Sequence, residues 1–250
     1  MRLHGALGDD ELSRTAINGL NREGVNTDYL VFHSETRPIH STIIIGQMNH
    51  TRNIFFQIPE IRGTHPELPK ASLIRQTRVL LIEDFSVETT ICVTRIAAEA
   101  NIPIVADFEL GDSPQFPELL AVVDHLVLSH DFASKFTGET EPAVLAEQMW
   151  TTRRKVVVIS HGAEGARYIT SPHEDSIRHQ LAFVVEIVDT TGCGDVFHGG
   201  YAAGLVYGMT TAERIRFASA AAALKATKPG GQAGISTLVV VKAFLKDRTS

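Results

Sequence analysis

Five residues in the last third of the chain have types and spacing suited to phosphoryl chemistry. In the stretch DTTGCGDVF, Asp189 opens a turn that contains Gly192, Cys193 and Gly194 and ends at Asp195. Backbone N–H groups at the start of a helix lack intrahelical acceptors and, together with the helix dipole, attract anions. The turn therefore predicts an anion cradle, with Asp195 close enough to take a proton from a hydroxyl group that attacks a bound phosphoryl group.

The segments on either side of this turn must hold it in place. The apolar run FVVEIVD, from Phe183 to Asp189, predicts a strand, and the small-residue run from Cys193 predicts the first of three helices that extend to Lys246. A simpler interpretation is that Asp195 caps this helix and that the glycines only allow close packing. From the turn alone, both interpretations stay open.

The middle of the chain alternates apolar, β-branched runs with helical segments. The runs are RVLLIED, IPIVADF, HLVLSH, KVVVIS and GARYIT, and helices are predicted near residues 87–100, 116–123 and 142–151. Continuous apolar strands joined by helices are typical of a parallel sheet covered on both faces. We therefore predict an α/β fold, a three-layer α/β/α sandwich with a mostly parallel central sheet.

The first sixty residues follow a different pattern. After Gly8, apolar residues recur at helical spacing and predict a surface helix. Residues 37–63 are rich in Ile, Thr and Phe, with the turn-like GQMNH at their centre, and predict a β-hairpin. We expect residues 37–60 to form a small β-strand lid, and residues 1–36 and 61–250 to form the α/β core.

The composition argues against several classes of protein. The net charge is −6 and basic residues gather only in TTRRK, so neither nucleic acid nor an anionic membrane is a predicted partner. The apolar runs are far shorter than the roughly 20 residues of a membrane span, and the N-terminus lacks the apolar segment of a signal peptide. Cys92 and Cys193 are the only cysteines and lie far apart, which indicates no disulfide framework or zinc site and favours a cytoplasmic location.

The phosphate turn resembles the C-terminal signature of the ribokinase-like, or pfkB-type, carbohydrate kinases. Their DTxGAGDxF motif stands here as DTTGCGDVF, with Cys193 in place of the usual alanine. The resemblance implies transfer of the γ-phosphoryl group of ATP to a sugar hydroxyl, with ATP and Mg²⁺ as cofactors. It implies that Asp195 is the catalytic base and that the amides of Gly192, Cys193 and Gly194 form the anion hole.

Two other segments are similar to nucleotide-binding parts of this family. VVVISHGAEGARYI matches its strand-turn-strand T-x-G-x-x-G, which implies nucleotide contacts at Ser160, Gly162 and Gly165. FASAAAALKATKPGGQAGIST matches the helix and loop that close over the adenine, with Ser219 at a nucleotide position. Taken without the resemblance, the first is equally an ordinary glycine hairpin and the second an alanine-rich core helix with a glycine C-cap.

Metal positions follow the family pattern only in part. Asp189 and Thr191 match positions that often hold a monovalent cation, here K⁺, and the resemblance places residues 230–234 in the same cation loop. The N-x-x-E that helps the family organise Mg²⁺ is replaced, with Ser129 and Phe132 at its two ends. This departure is similar to the ketohexokinase-type and sulfofructose-kinase-type branches.

In that case Mg²⁺ would be held mainly by ATP oxygens and water, with Asp131 as a further candidate ligand.

The N-terminal segment raises a separate question. It resembles the segment after the family's first signature, a glycine pair that contacts the sugar, so part of the sugar pocket is expected to be missing. A catalytically inactive nucleotide-binding remnant is therefore an alternative, and a nucleoside kinase is another.

Two further expectations concern contacts. Related lids often pair, so a homodimer through the lid strands is predicted. Cys193 is either a substitute for alanine or a reactive thiol at a helix N-terminus.

Overall fold

The structure is a computed structural model that describes residues 1–46, 51–59, 63, 69–171 and 177–248. Its strands are β1 (Gly5–Leu7), β2 (Leu30–Phe32), β3 (His40–Gly46), β4 (Thr51–Gln57), β5 (Leu80–Glu83), β6 (Ile104–Asp107), β7 (His125–Ser129), β8 (Val156–Ser160), β9 (Ala166–Ile169) and β10 (Arg178–Gln180). Its helices are α1 (Glu11–Arg22), α2 (Ala71–Ile74), α3 (Val87–Glu99), α4 (Phe116–Val122), α5 (His130–Thr137), α6 (Pro142–Gln148), α7 (Cys193–Val206), α8 (Thr211–Ala226) and α9 (Leu238–Lys246). The chain divides into two compact units, Met1–Ile74 with Phe85–Val93 and Arg75–Asp84 with Thr94–Ser250.

The first unit contains the predicted N-terminal helix beside a short parallel pair, β1 and β2. The α1 helix begins after Asp10 because the Asp10 carboxylate accepts the amide of Ser13 at 2.8 Å, which satisfies one of the orphan donors of the first turn. Within this helix Ser13 is buried, and its hydroxyl accepts the amide of Gly8 at 3.0 Å. The helix is thereby tied to the end of β1.

The predicted hairpin is also present in this unit. β3 and β4 pair antiparallel, with Thr42 opposite Phe55 and Ile43 opposite Ile54. Because facing residues share a side and alternate along each strand, Phe55 and its neighbour Phe56 lie on opposite faces, and both are exposed. The predicted turn overlaps residues 47–50, which lie outside the described residues. The assignment of residues 37–60 as a lid stays a prediction.

The second unit is built on a six-stranded sheet in the order β10-β9-β8-β7-β6-β5. β5 to β8 pair in parallel, whereas β9 and β10 continue the sheet antiparallel. Successive residues of β6, such as Ile104 and Val105, are fully buried although they point to opposite faces. Helices therefore cover both faces of the central strands, as the continuous apolar runs predict.

Two C-terminal helices pack against one face of this sheet. Phe197 and Tyr201 of α7 join Ile215 and Ala218 of α8 in a core cluster with valines of β6, β7 and β8. A Cβ atom at Gly200 would lie 3.1 Å from the Ala218 Cα, so the glycine lets the two helices approach closely. Gly200 thus serves packing.

One predicted strand is wrong. Residues 183–189 form no strand, because the amides of Val188 and Asp189 both donate to the carbonyl of Ala226 at the end of α8 rather than to a neighbouring strand. The side chains of Val184 and Ile187 are exposed as well, which removes the burial that β-branched runs usually indicate. The sequence patterns did not predict α5 or the short edge strand β10.

Candidate active site

The α7 helix starts at a turn that requires glycine. Gly192 is the N-cap residue and has a φ of 77°, in the left-handed region that side chains disfavour. A Cβ atom there would also lie 2.8 Å from the carbonyl oxygen of Gly231. Asp195 follows in the first turn of α7 and is exposed. Local backbone geometry thus places this carboxylate at a helix N-terminus open to solvent.

The hydrogen bonds of this turn decide which amides are free for an anion. The Cys193 amide donates to the carbonyl of Thr190 at 3.1 Å, and the Val196 amide makes the first intrahelical bond, to Gly192, at 3.0 Å. The amides between them, those of Gly194 and Asp195, have no acceptor in the described part of the chain. A Cβ atom at Gly194 would meet nothing within 4 Å. Of the predicted set, the Cys193 amide is therefore engaged, whereas the amides of Gly192 and Gly194, like that of Asp195, have no acceptor among the described residues.

The side chain of Cys193 points toward α8. Its thiol donates to the carbonyl of Ala222, with Sγ and O 3.5 Å apart, and the residue is half-buried. This contact favours the interpretation in which the cysteine replaces a packed methyl group.

The buried side chain of Asp189 connects two loops by hydrogen bonds. One carboxylate oxygen accepts the amide of Thr191 at 2.8 Å and the other accepts the amide of Gly230 at 2.7 Å. The main-chain oxygen of Asp189 accepts the fully buried ammonium group of Lys225 at 2.9 Å. The hydrogen bond from the Thr191 amide is the main cause that lowers the pKa of Asp189.

These contacts bear on the predicted monovalent cation. The Asp189 carboxylate has about four lone-pair positions, and it accepts the two amides and a side-chain hydrogen bond from Thr191, which leaves about one position for another partner. The loop of residues 230–234 lies beside it, because Gly230 donates to Asp189. The donor set therefore fits a monovalent ion, although the ammonium group of Lys225 already supplies a positive charge to the same residue.

The predicted nucleotide segment around β8 contains two glycines with different constraints. Gly165 has a φ of 89°, and a Cβ atom there would lie 2.1 Å from the carbonyl oxygen of Gln180, so this glycine is required by the approach of β10. Gly162 has a φ of 50° with nothing within 4 Å of a Cβ atom. Ser160, at the end of β8, donates to the carbonyl of Leu128 at 3.2 Å. Of the two glycines, only Gly162 leaves open space.

Ser219 is a buried polar residue of α8. It is 8% exposed, and its hydroxyl is buried without a hydrogen-bond partner among the described residues. Buried hydroxyl groups normally have a partner, because an unpaired one carries a desolvation penalty. Ser219 therefore has an unused donor and acceptor at a position predicted to contact a nucleotide.

The model of the pfkB family of carbohydrate kinases matches residues 1–238. The chain belongs to this family. It is 28% identical over 254 residues to ribokinase of Bacillus subtilis (strain 168), and the aligned region covers 96% of this chain and 80% of that protein. It is 24% identical over 268 residues to fructokinase-2 of Oryza sativa subsp. japonica, which covers 96% of this chain and 78% of that protein.

A solved structure shows the same fold. The ribokinase of Arabidopsis thaliana complexed with ribose and ATP has a TM-score of 0.83 and 24% identity, covering 98% of this chain and 81% of that chain. The predicted family and the three-layer α/β/α fold are confirmed. The pfkB relatives are sugar kinases, which are phosphotransferases with an alcohol group as acceptor, and this chain is a carbohydrate kinase of that type.

The positions that depart from the pfkB magnesium motif are structural. The hydroxyl of Ser129 accepts the amide of Phe132 at 3.1 Å and caps α5, while Phe132 itself is buried. Asp131 is fully exposed. Within the described ranges, no group of three or more His, Cys, Asp or Glu side chains could hold a metal ion.

Two acidic residues that sequence reasoning missed lie at the carboxyl ends of parallel strands. Glu83 ends β5, Asp107 ends β6, and the two are partners in the sheet register. Burial is the main cause that raises the pKa of each, and the negative charge of Asp195 adds to it. The Glu83 side chain is nevertheless exposed, so the charges of Asp107 and Asp195 are the cause that the geometry supports there. Ligands of open α/β sheets bind beyond these strand ends, so ED in RVLLIED and AD in IPIVADF were the available signals.

A third missed residue is His198 of α7, which lies one helical turn after Asp195. It is buried against the ends of β6 and β7, where it contacts Asp107 and the carbonyl of Val127. The neighbouring Asp84 instead accepts the amides of residues 109–111 and fixes that loop. Because Asp195 and His198 are in the same helix, the contacts of His198 connect the first turn of α7 to the ends of β6 and β7.

Two further features lie elsewhere. A cleft of about 490 Å³ in the first unit, lined by Asp10 and Glu35 among others, contains none of the predicted site residues. In the part of the chain that the structure describes, no helix has the length and apolarity needed to cross a bilayer.

Proposed function

We propose that this carbohydrate kinase transfers the γ-phosphoryl group of ATP to a sugar hydroxyl at the N-terminus of α7. Asp195 is the catalytic base, and the open amides of Gly194 and Asp195, in the turn that Gly192 and Cys193 begin, form the anion hole. The observation that carries the proposal is the exposed Asp195 carboxylate beside amides of Gly194 and Asp195 that have no acceptor in the described chain. A helix N-terminus with free amides stabilises phosphate charge.

In this reaction Asp195 takes the proton of the sugar hydroxyl. The sugar oxygen forms a bond to the γ-phosphorus atom while the bond from that phosphorus to the leaving oxygen of ADP breaks. The proton stays on the Asp195 carboxylate until it passes to solvent, which reaches this exposed residue. The protein contributes mainly position and fixed dipoles, as is general for phosphoryl transfer.

The nucleotide is proposed to lie against the β8–β9 turn and α8. Ser160, Gly162 and Gly165 line that turn, and the open space at Gly162 suits a close approach of the ligand. The unpaired hydroxyl of buried Ser219 would gain a hydrogen bond from bound ATP. The amide of Gly194 would contact the γ-phosphate.

Metal ions are proposed as cofactors of the same site. Mg²⁺ would be held by ATP oxygens and water, where it neutralises charge on the phosphates. K⁺ would be held by Asp189, Thr191 and the loop of residues 230–234, where it would add positive charge behind the turn. The main role of Asp189 in the chain itself is to join these two loops.

Replacement of Asp195 by asparagine tests the catalytic assignment. We expect Asp195→Asn to lower kcat by about 100- to 10,000-fold, because a general base is lost, while ATP affinity changes little. ADP release is measured with ribose, fructose and other sugars, and ATP binding by calorimetry. Asp247→Asn, a change at an exposed aspartate, is the matched control.

A kcat near that of the wild type in Asp195→Asn would contradict the assignment. Wild-type protein that binds ATP but phosphorylates no sugar or nucleoside would support the alternative of an inactive nucleotide-binding remnant.

The β3–β4 hairpin is proposed to be a lid and the contact of a homodimer. Phe55 and Phe56 are exposed on its opposite faces, which leaves one face for a substrate and one for a partner. We expect a dimer by light scattering, and a monomer after either Phe55→Ser or Phe56→Ser, whichever removes the partner face. A monomeric wild type at high concentration, or dimers unaffected by both changes, would contradict this.

A further inference from the structure

His198 is a buried imidazole whose two ring nitrogens face oxygen atoms on three different elements. Nε2 lies 2.9 Å from the carbonyl oxygen of Val127 in β7. Nδ1 lies 2.9 Å from the carbonyl oxygen of Gly194, one turn earlier in α7, and 3.1 Å from Oδ2 of Asp107 at the end of β6. The side chain therefore connects the first turn of α7 to two strands of the sheet.

The chemistry of these partners fixes the protons. A carbonyl oxygen can only accept a hydrogen bond, so Nε2 must donate to Val127 and Nδ1 must donate to Gly194. An imidazole that donates from both nitrogens carries a positive charge. The Asp107 carboxylate beside Nδ1 is the counter-charge, and the two groups share the Nδ1 proton in a site where His198 is 5% exposed and Asp107 18% exposed.

The charges around Asp107 come from several elements. Asp84 lies just after β5, Glu109 follows β6 and Asp195 lies on α7, and the acidic Glu83 at the end of β5 has its own pKa raised to about 7. Burial is the main cause that raises the pKa of Asp107 to about 6, the positive charge of His198 lowers it, and the negative neighbours raise it further. Among the groups of the described residues that act on Asp107, His198 is the one whose charge favours the ionised carboxylate.

We propose that His198 and Asp107 form a positioning pair that holds the Gly194–Asp195 turn against the ends of β6 and β7. The role rests on the proposed kinase activity, because the turn it fixes carries the base and the open amides. His198 touches the carbonyl of the peptide unit whose N–H belongs to Asp195. Tilting of that peptide unit would move both the carboxylate and the anion hole, and a displacement of about 1 Å at such a site can lower the rate about 100-fold.

Two conservative variants separate the two ends of the imidazole. The amide nitrogen of asparagine reaches the place of Nδ1, and that of glutamine reaches the place of Nε2. We expect His198→Asn to keep the bond to Gly194 and to lower kcat by no more than about 10-fold. His198→Gln loses that bond, and we expect it to lower kcat by about 100-fold. KM for ATP should change little in both, and His33→Asn and His33→Gln in the first unit are the matched controls.

Equal kcat losses in the two His198 variants, at equal thermal stability, would overturn the positioning role and leave His198 as a packing residue. If wild-type protein phosphorylates nothing, the proposed activity has failed rather than the pair. A readout independent of activity is the long-range ¹H–¹⁵N spectrum of the histidine rings. Because both nitrogens face acceptor oxygens, we expect each nitrogen of His198 to carry a proton, and a ring with one unprotonated nitrogen would overturn the pair.

The pH profile of kcat tests the role of Asp107 in the pair. Because the pair needs ionised Asp107, kcat of the wild type should rise with pH through about 6, the value to which the pKa of Asp107 is raised. In Asp107→Asn the side chain keeps the shape of aspartate but cannot ionise. We therefore expect the plateau of kcat to be about 10-fold lower and the acid limb of the profile to move to lower pH. An unchanged acid limb with unchanged kcat would overturn the proposal.

Discussion

The loop held by Asp189 and the strand ends that carry Glu83 and Asp107 place carboxylates in opposite environments. Asp189 accepts two backbone amides, from Thr191 and Gly230, and these hydrogen bonds lower its pKa. Glu83 and Asp107 have other carboxylates as neighbours, and burial with this negative charge raises the pKa of both. Hydrogen bonding to the charged form therefore dominates at one place, and desolvation at the other.

The difference shows how one residue type serves structure or chemistry. A carboxylate satisfied by amides is fixed and stabilises a fold, as Asp189 joins two loops behind the phosphate turn. A carboxylate crowded by like charge is poised to change protonation, and such groups are typical of functional sites. Asp195 belongs to neither class by itself, since it is exposed and sits between the two regions.

The largest expected effect on stability comes from removing the hydrogen bonds of the Asp189 carboxylate. Asp189→Asn places an amide group where two backbone N–H groups need acceptors, so at least one buried donor is left unpaired. We expect a loss of about 1–3 kcal/mol in the free energy of unfolding at neutral pH, measured by chemical denaturation. Because the pKa of Asp189 is lowered, its stabilisation is present above the ordinary aspartate range and is lost as pH falls through the folded-state value.

The difference between Asp189→Asn and wild type should therefore shrink toward acid pH. Denaturation curves that coincide at neutral pH would show that the two amides find other acceptors, and the contrast with the strand ends would then not hold.

Asp107→Asn should show the opposite pH dependence, with a smaller effect. A raised pKa means that the protonated form contributes stability that is fully present below the ordinary aspartate value and is lost as pH rises through about 6. The asparagine variant cannot ionise, so its stability relative to wild type should increase by on the order of 1 kcal/mol between acid and neutral pH. Melting temperatures across this range measure it, and a difference that falls with pH would contradict the prediction.

Most of the fold and the phosphate turn could be predicted because their signals are local. The runs that became β5 to β9 are continuous and apolar, and the glycine spacing around Gly192 belongs to a specific motif. The strand predicted for residues 183–189 was wrong because its β-branched residues look buried in sequence, whereas the amides of Val188 and Asp189 donate to Ala226, a contact across 37 residues or more of chain. A hydrogen-bond partner so distant in the chain does not change the pattern of apolar residues, so the sequence does not reveal it.

The missed site residues depend on the order of strands. Glu83 and Asp107 become neighbours only because β5 and β6 pair in register, and His198 reaches Asp107 only because α7 packs over β6. Their sequence signals were acidic residues at the ends of apolar runs and a histidine within a small-residue helix. Each signal has an ordinary surface or packing interpretation until the sheet is assembled.

The smallest expected effect concerns Cys193, which lies between the two regions compared above. Its thiol donates to the carbonyl of Ala222 and points into the contact with α8, on the side of structure rather than chemistry. We expect Cys193→Ala to change the free energy of unfolding by less than about 1 kcal/mol and kcat by less than about 2-fold, because the backbone of the turn and the small side-chain volume are kept. Iodoacetamide should label Cys193 slowly and at the same rate with and without MgATP, measured by mass spectrometry of the modified peptide. Rapid labelling that inactivates the enzyme and is prevented by MgATP would instead place the sulfur beside the phosphate, and it would move Cys193 to the chemical side of the comparison.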